Sequence, residues 1–105
     1  MTNKNVIEIK NQIEEEIADM LDYIVGSANE IVAGDFFHLL QKIEKDLEHK
    51  KSHAAMQSIL MFFQSFNLGK KGTDIEIFAD TEAKRAFVLT TFVNYGTDLY
   101  REHIE

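Results

Sequence analysis

Two histidines four residues apart are the first residues of this sequence whose types and spacing suit a metal site. His49 and His53 would share one face of a continuous helix, as zinc-binding histidines can. Glu48 adjoins the first of them, but no third ligand follows at a motif spacing, and a break at Ser52 would separate the two rings. We expect a solvated pair and no metal or cofactor; a site completed by a carboxylate from another helix is the alternative.

A run of carboxylates near the start of the chain is the second candidate for metal chemistry. Diiron bundles direct glutamates inward and use a Glu-x-x-His pairing on two helices. Here Glu15, Asp19 and Asp22 fall opposite a stripe of isoleucines, so we expect them on a solvated outer face. The acid-x-x-His spacing from Asp35 to His38 involves an aspartate that suits a helix cap.

Motifs for nucleophilic catalysis are absent from the sequence. There is no cysteine, no Gly-x-Ser-x-Gly turn and no glycine-rich loop that would hold a phosphate. The serines and threonines have no neighbouring base at a recognised spacing, although triads also assemble from distant residues. We therefore predict that the protein is not an enzyme.

The elements that must position these residues are amphipathic helices. Proline is absent, and apolar residues recur at steps of three and four. Gly34 is expected to end the first helix and Asp35 to cap the second, while Gly96 is a weak point in the last helix. Ser52 either caps a third helix or lies within one continuous helix. The predicted helices cover about residues 5–33, 36–51, 53–67 and 81–104.

The predicted fold is therefore all-α: an antiparallel four-helix bundle in a single domain, residues 1–105. The third helix is apolar nearly all round, so we expect it in the middle of the packing. Residues 69–80, GKKGTDIEIFAD, interrupt the helical pattern. We predict a short strand-like or irregular connector there, with Ile75, Ile77 and Phe78 closing one end of the bundle.

The net charge and its distribution along the chain indicate which classes of partner the protein can bind. The 105 residues carry a net charge of −7, with −6 in residues 1–35, +3 in residues 36–73 and −4 in residues 74–105. An acidic surface repels phosphate backbones and attracts basic proteins, so direct binding of nucleic acid is not expected. We find neither a secretory signal nor a membrane-spanning run, and expect a cytoplasmic protein with no membrane partner.

Residues 35–45, DFFHLLQKIEK, resemble the first helix of the immunity proteins that neutralise nuclease colicins. Those proteins are small, acidic and four-helical, and they carry a Gly-Thr/Ser-Asp-Leu-Ile-Tyr-Tyr-Pro segment at a similar distance downstream. Residues 72–78, GTDIEIF, are similar to it in place and partly in letters. On this alignment, Ile77 and Phe78 occupy the positions of the paired tyrosines that grip the nuclease.

The resemblance covers at most residues 35–80, and the chain departs from the family pattern within it. Neither tyrosine is present, Ala79 replaces the proline, and residues 53–67 lack the acids of the family's second helix. Residues 1–34 have no counterpart. The resemblance thus points to an analogous immunity protein.

The leading hypothesis is a small acidic binding protein that neutralises a basic protein partner, a bacterial nuclease toxin. Complementary charge speeds the encounter of two proteins, while a small apolar cluster supplies the tight centre of the contact. The alternative is a helical assembly or inhibitor module, such as a secretion chaperone, a phage-type inhibitor or a homodimer. The candidate partner-binding residues are Glu15, Asp19, Asp22, Asp74, Glu76 and Phe78.

Overall fold

A computed structural model describes residues 2–26, 30–66 and 69–103 of the chain. The predicted all-α class is confirmed, and the described residues contain no strand. The number of helices was wrong, because the described residues form five helices rather than four. They are α1 (Thr2–Gly26), α2 (Glu30–Glu48), α3 (Ser52–Ser65), α4 (Gly69–Phe78) and α5 (Glu82–His103).

The boundary between the first two helices lies earlier than predicted. Helix α1 ends at Gly26, and α2 begins at Glu30 and passes through Gly34 and Asp35 without a break. The prediction that Gly34 ends a helix required a left-handed backbone, but no described glycine has a positive φ. A single glycine inside a helix costs only about 1 kcal/mol, which the packing of the residues that follow can offset.

The chain breaks between α2 and α3, and of the two alternatives that the sequence left open the structure shows two separate helices. Lys50 has φ 59°, and the amides of Lys50 and Lys51 donate to the carbonyls of Leu47 and Asp46 at 3.1 and 2.6 Å. This is the hydrogen-bond pattern of a Schellman motif, with lysine where glycine is usual. Ser52 is not the cap but the first residue of α3, and its hydroxyl accepts from Arg85 Nε at 3.1 Å.

The predicted connector is itself a helix, α4, so the strand-like interpretation was wrong. Gly72, Ile75 and Ala79 face inward at helical spacing, whereas a strand would have buried Ile75 and Ile77 together. Ile77 is instead 70% exposed, and Phe78 is half-buried. A Cβ on Gly72 would lie 3.5 Å from Leu60 Cδ2, which shows how closely α4 packs on α3.

Helix α3 contacts α2, α4 and α5, and helix α5 contacts α1, α2 and α3, so the central position predicted for α3 is shared with α5. Thr81 caps α5, and its Oγ1 accepts a hydrogen bond from the Lys84 amide at 3.2 Å. Gly96 is not a weak point: a Cβ there would lie 3.0 Å from side-chain atoms of Phe36 and Leu40, so α2 and α5 approach closely. On α3, by contrast, Met61 is 69% exposed.

Helices α1 and α5 are neighbours that run in the same direction, which a simple antiparallel bundle does not allow. Near their N-terminal ends, Lys10 Nζ lies 5.2 Å from the centre of the Phe87 ring. Further along both helices, the Tyr95 hydroxyl donates to Asp22 Oδ1 at 2.9 Å. The unpredicted helix α4 explains the parallel arrangement. If successive helices alternate in direction, the fourth runs antiparallel to the first, whereas the fifth runs parallel to it.

One hydrophobic cluster draws residues from all five helices or their immediate ends. Phe92 lies at its centre, with its ring 6.1 Å from that of Phe36 and 5.8 Å from that of Phe63. Edge-on contacts of this kind stabilise aromatic pairs beyond the area that they bury. The cluster contains Ile13, Ile17, Met20, Leu21, Ile24, Phe36, Leu39, Leu40, Ile43, Ala55, Met56, Ile59, Phe63, Ile75, Ala79, Val88, Leu89, Phe92, Val93 and Leu99.

Candidate functional site

The six predicted partner-binding residues lie on three different parts of the surface. Glu15 and Asp19 are exposed on the outer side of α1, as their position opposite the isoleucine stripe predicted. Asp22 is also exposed but is joined to α5. The three residues of α4 divide between two sides of that helix, so the sequence-based set does not form one contiguous site.

Asp22 belongs to an acidic patch that spans α1 and α5, formed by Asp19, Asp22 and Glu102 around the hydroxyl of Tyr95. The hydrogen bond to Asp22 raises the pKa of Tyr95 above 10.0, and desolvation adds to this effect. The negative charges of Asp22, Glu102 and Asp19 raise the pKa further. All three carboxylates therefore contribute negative potential at one point of the surface. The sequence did not predict that Tyr95 and Glu102 belong to this patch.

Residues Asp74 and Glu76 lie on opposite sides of α4. Glu76 faces α3 and lines a small depression of about 180 Å³ with Leu60, Met61 and Gly72, among others. Asp74 instead faces the N-terminal half of α1 together with Phe78. Two residues apart on a helix are separated by about 200°, so a single partner surface would not meet both side chains.

The side of α4 that carries Asp74 and Phe78 forms one wall of a groove, here called the α1–α4 groove. Its volume is about 480 Å³. The opposite wall is the N-terminal half of α1, where Val6 and Ile9 are 46% and 47% exposed, above the buried Ile13. Polar residues complete the lining, and the described residues that line the groove are Val6, Ile9, Gln12, Ile13, Glu16, Asp74, Ile77, Phe78 and Lys84.

A carboxylate without a partner lies in the α1–α4 groove. Glu16 Oε2 is buried, and no hydrogen-bond donor reaches it among the described residues. A buried polar atom left in this state costs free energy, of the order of 1–3 kcal/mol. Among the described residues of the lining the one cation is Lys84, and it is already engaged: its Nζ contacts Asp80 Oδ1 at 3.1 Å and lies 5.6 Å from the centre of the Phe78 ring.

Sequence reasoning missed Val6, Ile9 and Glu16 as site residues. The isoleucine stripe of α1 begins at Val6, and the sequence contained this signal, but Val6 and Ile9 were not named as partner-binding residues. Glu16 stands within the Glu14–Glu15–Glu16 run and could be distinguished from Glu15 only by its angle around the helix.

The two histidines do not share a helical face. His49 follows the end of α2, and His53 lies in the first turn of α3, with the left-handed Lys50 between them. Both side chains are exposed. Within residues 2–26, 30–66 and 69–103, no group of three or more histidine, aspartate or glutamate side chains is arranged to hold a metal ion.

Comparison with protein-family models, with curated proteins and with solved structures finds no match to this chain. A search of the described helices for a membrane span likewise finds none with the necessary length and apolar content.

Proposed function

We propose that this protein is a cytoplasmic binding protein that neutralises a basic protein partner, and that the partner is a bacterial nuclease toxin. The observation that carries the proposal is the acidic patch of the exposed Asp19, Asp22 and Glu102 on α1 and α5, where the Tyr95 hydroxyl donates to Asp22 Oδ1 at 2.9 Å. Glu15 extends this negative surface on α1. A nuclease needs positive charge to bind its substrate, so an acidic protein can both attract it and compete with the nucleic acid.

The acidic patch favours fast encounter more than tight binding. Exposed carboxylates steer a basic partner over distances of about one Debye length, roughly 8 Å at physiological ionic strength. Tight neutralisation also requires a desolvated apolar centre in the interface. The half-buried Phe78, which the immunity-protein resemblance places at a gripping position, is consistent with that second requirement.

Co-expression with the neighbouring reading frame tests this function. We expect the neighbour alone to stop growth and the present chain to restore it. The double variant Asp19→Asn, Asp22→Asn should slow association of the purified pair about tenfold at low salt, with a smaller difference at high salt. The exposed pair Glu44→Gln, Glu48→Gln on α2 is the control of equal charge. A neighbour that is harmless, or toxic and not neutralised, would refute the proposal.

Self-association is a second candidate function, favoured by the exposed apolar residues Val6, Ile7 and Ile9 on α1. Two copies could bury this part of α1 against each other. Sedimentation over a hundredfold range of concentration tests it, because a monomer throughout that range excludes a homodimer.

A further inference from the structure

We propose that the α1–α4 groove binds a basic amphipathic helix of the partner protein. Apolar side chains of that helix would contact Val6, Ile9 and Phe78, and a lysine or arginine would reach Glu16 Oε2. This inference rests on the proposed function, since it names the part of the partner that the protein holds. It does not depend on the acidic patch, which lies further along α1.

The apolar part of the argument comes from the groove's two walls. Along α1, Val6, Ile9 and Ile13 follow one another at steps of three and four residues, and only Ile13 is covered. Across the groove, α4 presents Phe78 and the largely exposed Ile77. Grooves with apolar walls of this kind accept the apolar face of an amphipathic helix. Apolar surface left open between two helices is characteristic of an interaction site.

The charge of the partner follows from the groove's polar residues. Glu16 and Asp74 line the groove, and neither forms an ion pair among the described residues. Lys84 is offset by Asp80, so the unpaired charge in the groove is negative. A cation brought in by the partner would satisfy the buried Glu16 Oε2, and a charged hydrogen bond in a desolvated site is stronger than one at the surface.

A second copy of the chain fits the groove less well than a basic helix does. Each copy would bring its own Glu16 and Asp74 towards those of the other, within a chain whose net charge is −7. Like charges that face each other across an interface oppose association. A basic helix removes this repulsion and pairs the orphaned carboxylate.

A designed peptide provides the direct test. The probe is an eighteen-residue helix with leucines on one face and lysines on the other, and one leucine replaced by tryptophan. Because the protein itself has no tryptophan, the peptide's fluorescence reports binding without background. The control peptide carries glutamate in place of every lysine. We expect the lysine peptide to bind at least about tenfold more tightly than the glutamate peptide, and to shift the amide resonances of Val6, Ile9 and Phe78.

Matched variants of the full chain separate the groove from general acidity. Glu16→Gln and Glu14→Gln remove the same charge from one turn of α1, one inside the groove and one at an exposed position outside its lining. We expect Glu16→Gln to weaken binding of the lysine peptide about tenfold and Glu14→Gln to weaken it less than about twofold. Ile9→Ser should also weaken binding of the lysine peptide about tenfold. Ile7 is 59% exposed and does not line the groove, so Ile7→Ser should leave that binding unchanged.

Equal losses for Glu14→Gln and Glu16→Gln, or no binding of the lysine peptide, would overturn the inference. Concentration-dependent dimerisation that Ile9→Ser abolishes would assign the groove to a second copy instead. If the neighbouring toxin is neutralised equally well by Ile9→Ser and by the unchanged chain, the groove assignment fails while the proposed function stands. If the toxin is not neutralised at all, the function fails, and the peptide experiment decides the groove by itself.

Discussion

The two halves of α1 carry one continuous stripe of apolar residues and meet different surroundings. From Ile13 to Ile24 the stripe is covered by the rest of the bundle, and Ile17 is completely buried. At Val6 and Ile9 the same stripe opens into the α1–α4 groove and is about half exposed. Amphipathic periodicity therefore predicts which face of a helix is apolar, and it does not predict how far along the helix that face is covered.

The difference arises from the length and position of the neighbouring helices. Helix α1 has 25 residues and α4 has 10, so α4 can form only a short wall beside α1. Helix α5 runs parallel to α1 and begins at Glu82, just after α4 ends. The N-terminal half of α1 is thus covered on the side of α5 and open on the side of α4.

The largest expected effect compares alanine substitutions in the two halves. Ile17→Ala should lower the free energy of unfolding by about 2–5 kcal/mol, because it leaves a cavity in a fully buried site. Ile9→Ala, the same change at a half-exposed site, should lower it by less than about 1 kcal/mol. Urea denaturation followed by far-ultraviolet circular dichroism measures both. Similar losses for the two variants would mean that the groove is closed in solution.

A second experiment perturbs the close contact between α2 and α5 that supports the covered half. Gly96→Val should lower the free energy of unfolding by about 1–3 kcal/mol, because even a Cβ lies 3.0 Å from Phe36 and Leu40 atoms. Gly34→Ala is the matched control, since its Cβ would meet nothing within 4 Å. It should raise stability by about 0.5–1 kcal/mol through helix propensity. A loss of stability in Gly34→Ala would contradict the helical assignment of that residue.

A third experiment measures how much stability the protein loses by keeping the Glu16 carboxylate in the α1–α4 groove. Glu16→Met replaces the orphaned buried oxygen with an apolar side chain of similar length, and should raise the free energy of unfolding by about 1 kcal/mol. Glu15→Met, on the exposed face, should change it by less than about 0.5 kcal/mol. Thermal unfolding of both variants provides the comparison. Destabilisation by Glu16→Met would show that the carboxylate is satisfied in the free protein.

The smallest effect concerns the outer side of the covered half, where Tyr95 donates to Asp22. Because the folded-state pKa of Tyr95 is raised above 10.0, its contribution to stability is present below pH 10 and is lost as the pH rises through the folded-state pKa. The difference in tyrosinate absorbance between the unchanged chain and Tyr95→Phe isolates this titration. Asp22→Asn should lower the pH midpoint of the Tyr95 titration. An unchanged midpoint would show that Asp22 does not affect the pKa of Tyr95.

Several local features were predictable because neighbouring residues specify them. The helical class and the start of the last helix near Thr81 followed from spacing and from side chains close in sequence, and Ser52 marked the place where α2 and α3 could separate. The end of α1 and the helix α4 were mispredicted because neighbouring residues do not specify them. Gly34 and the alternating residues of α4 are compatible with two backbone conformations, and contacts with distant residues select between them.

The candidate site likewise contains features that the sequence predicted and features that it did not. The exposure of Glu15, Asp19 and Asp22 followed from one helical wheel. The groove did not, because it requires Glu16 of α1 and Phe78 of α4 to lie beside each other although more than sixty positions separate them in the chain. Glu76 was included with Asp74 because they are close in sequence, and α4 places them on opposite sides.

The sequence by itself determined that this chain is helical, acidic and without a recognisable catalytic motif, since composition and periodicity are properties of the residues and their neighbours. The tertiary structure alone decided that α5 shares the centre with α3, that α1 and α5 are parallel, and that one end of the apolar stripe stays open. Burial depends on what packs against a residue, and the residues that pack against α1 come from distant parts of the chain.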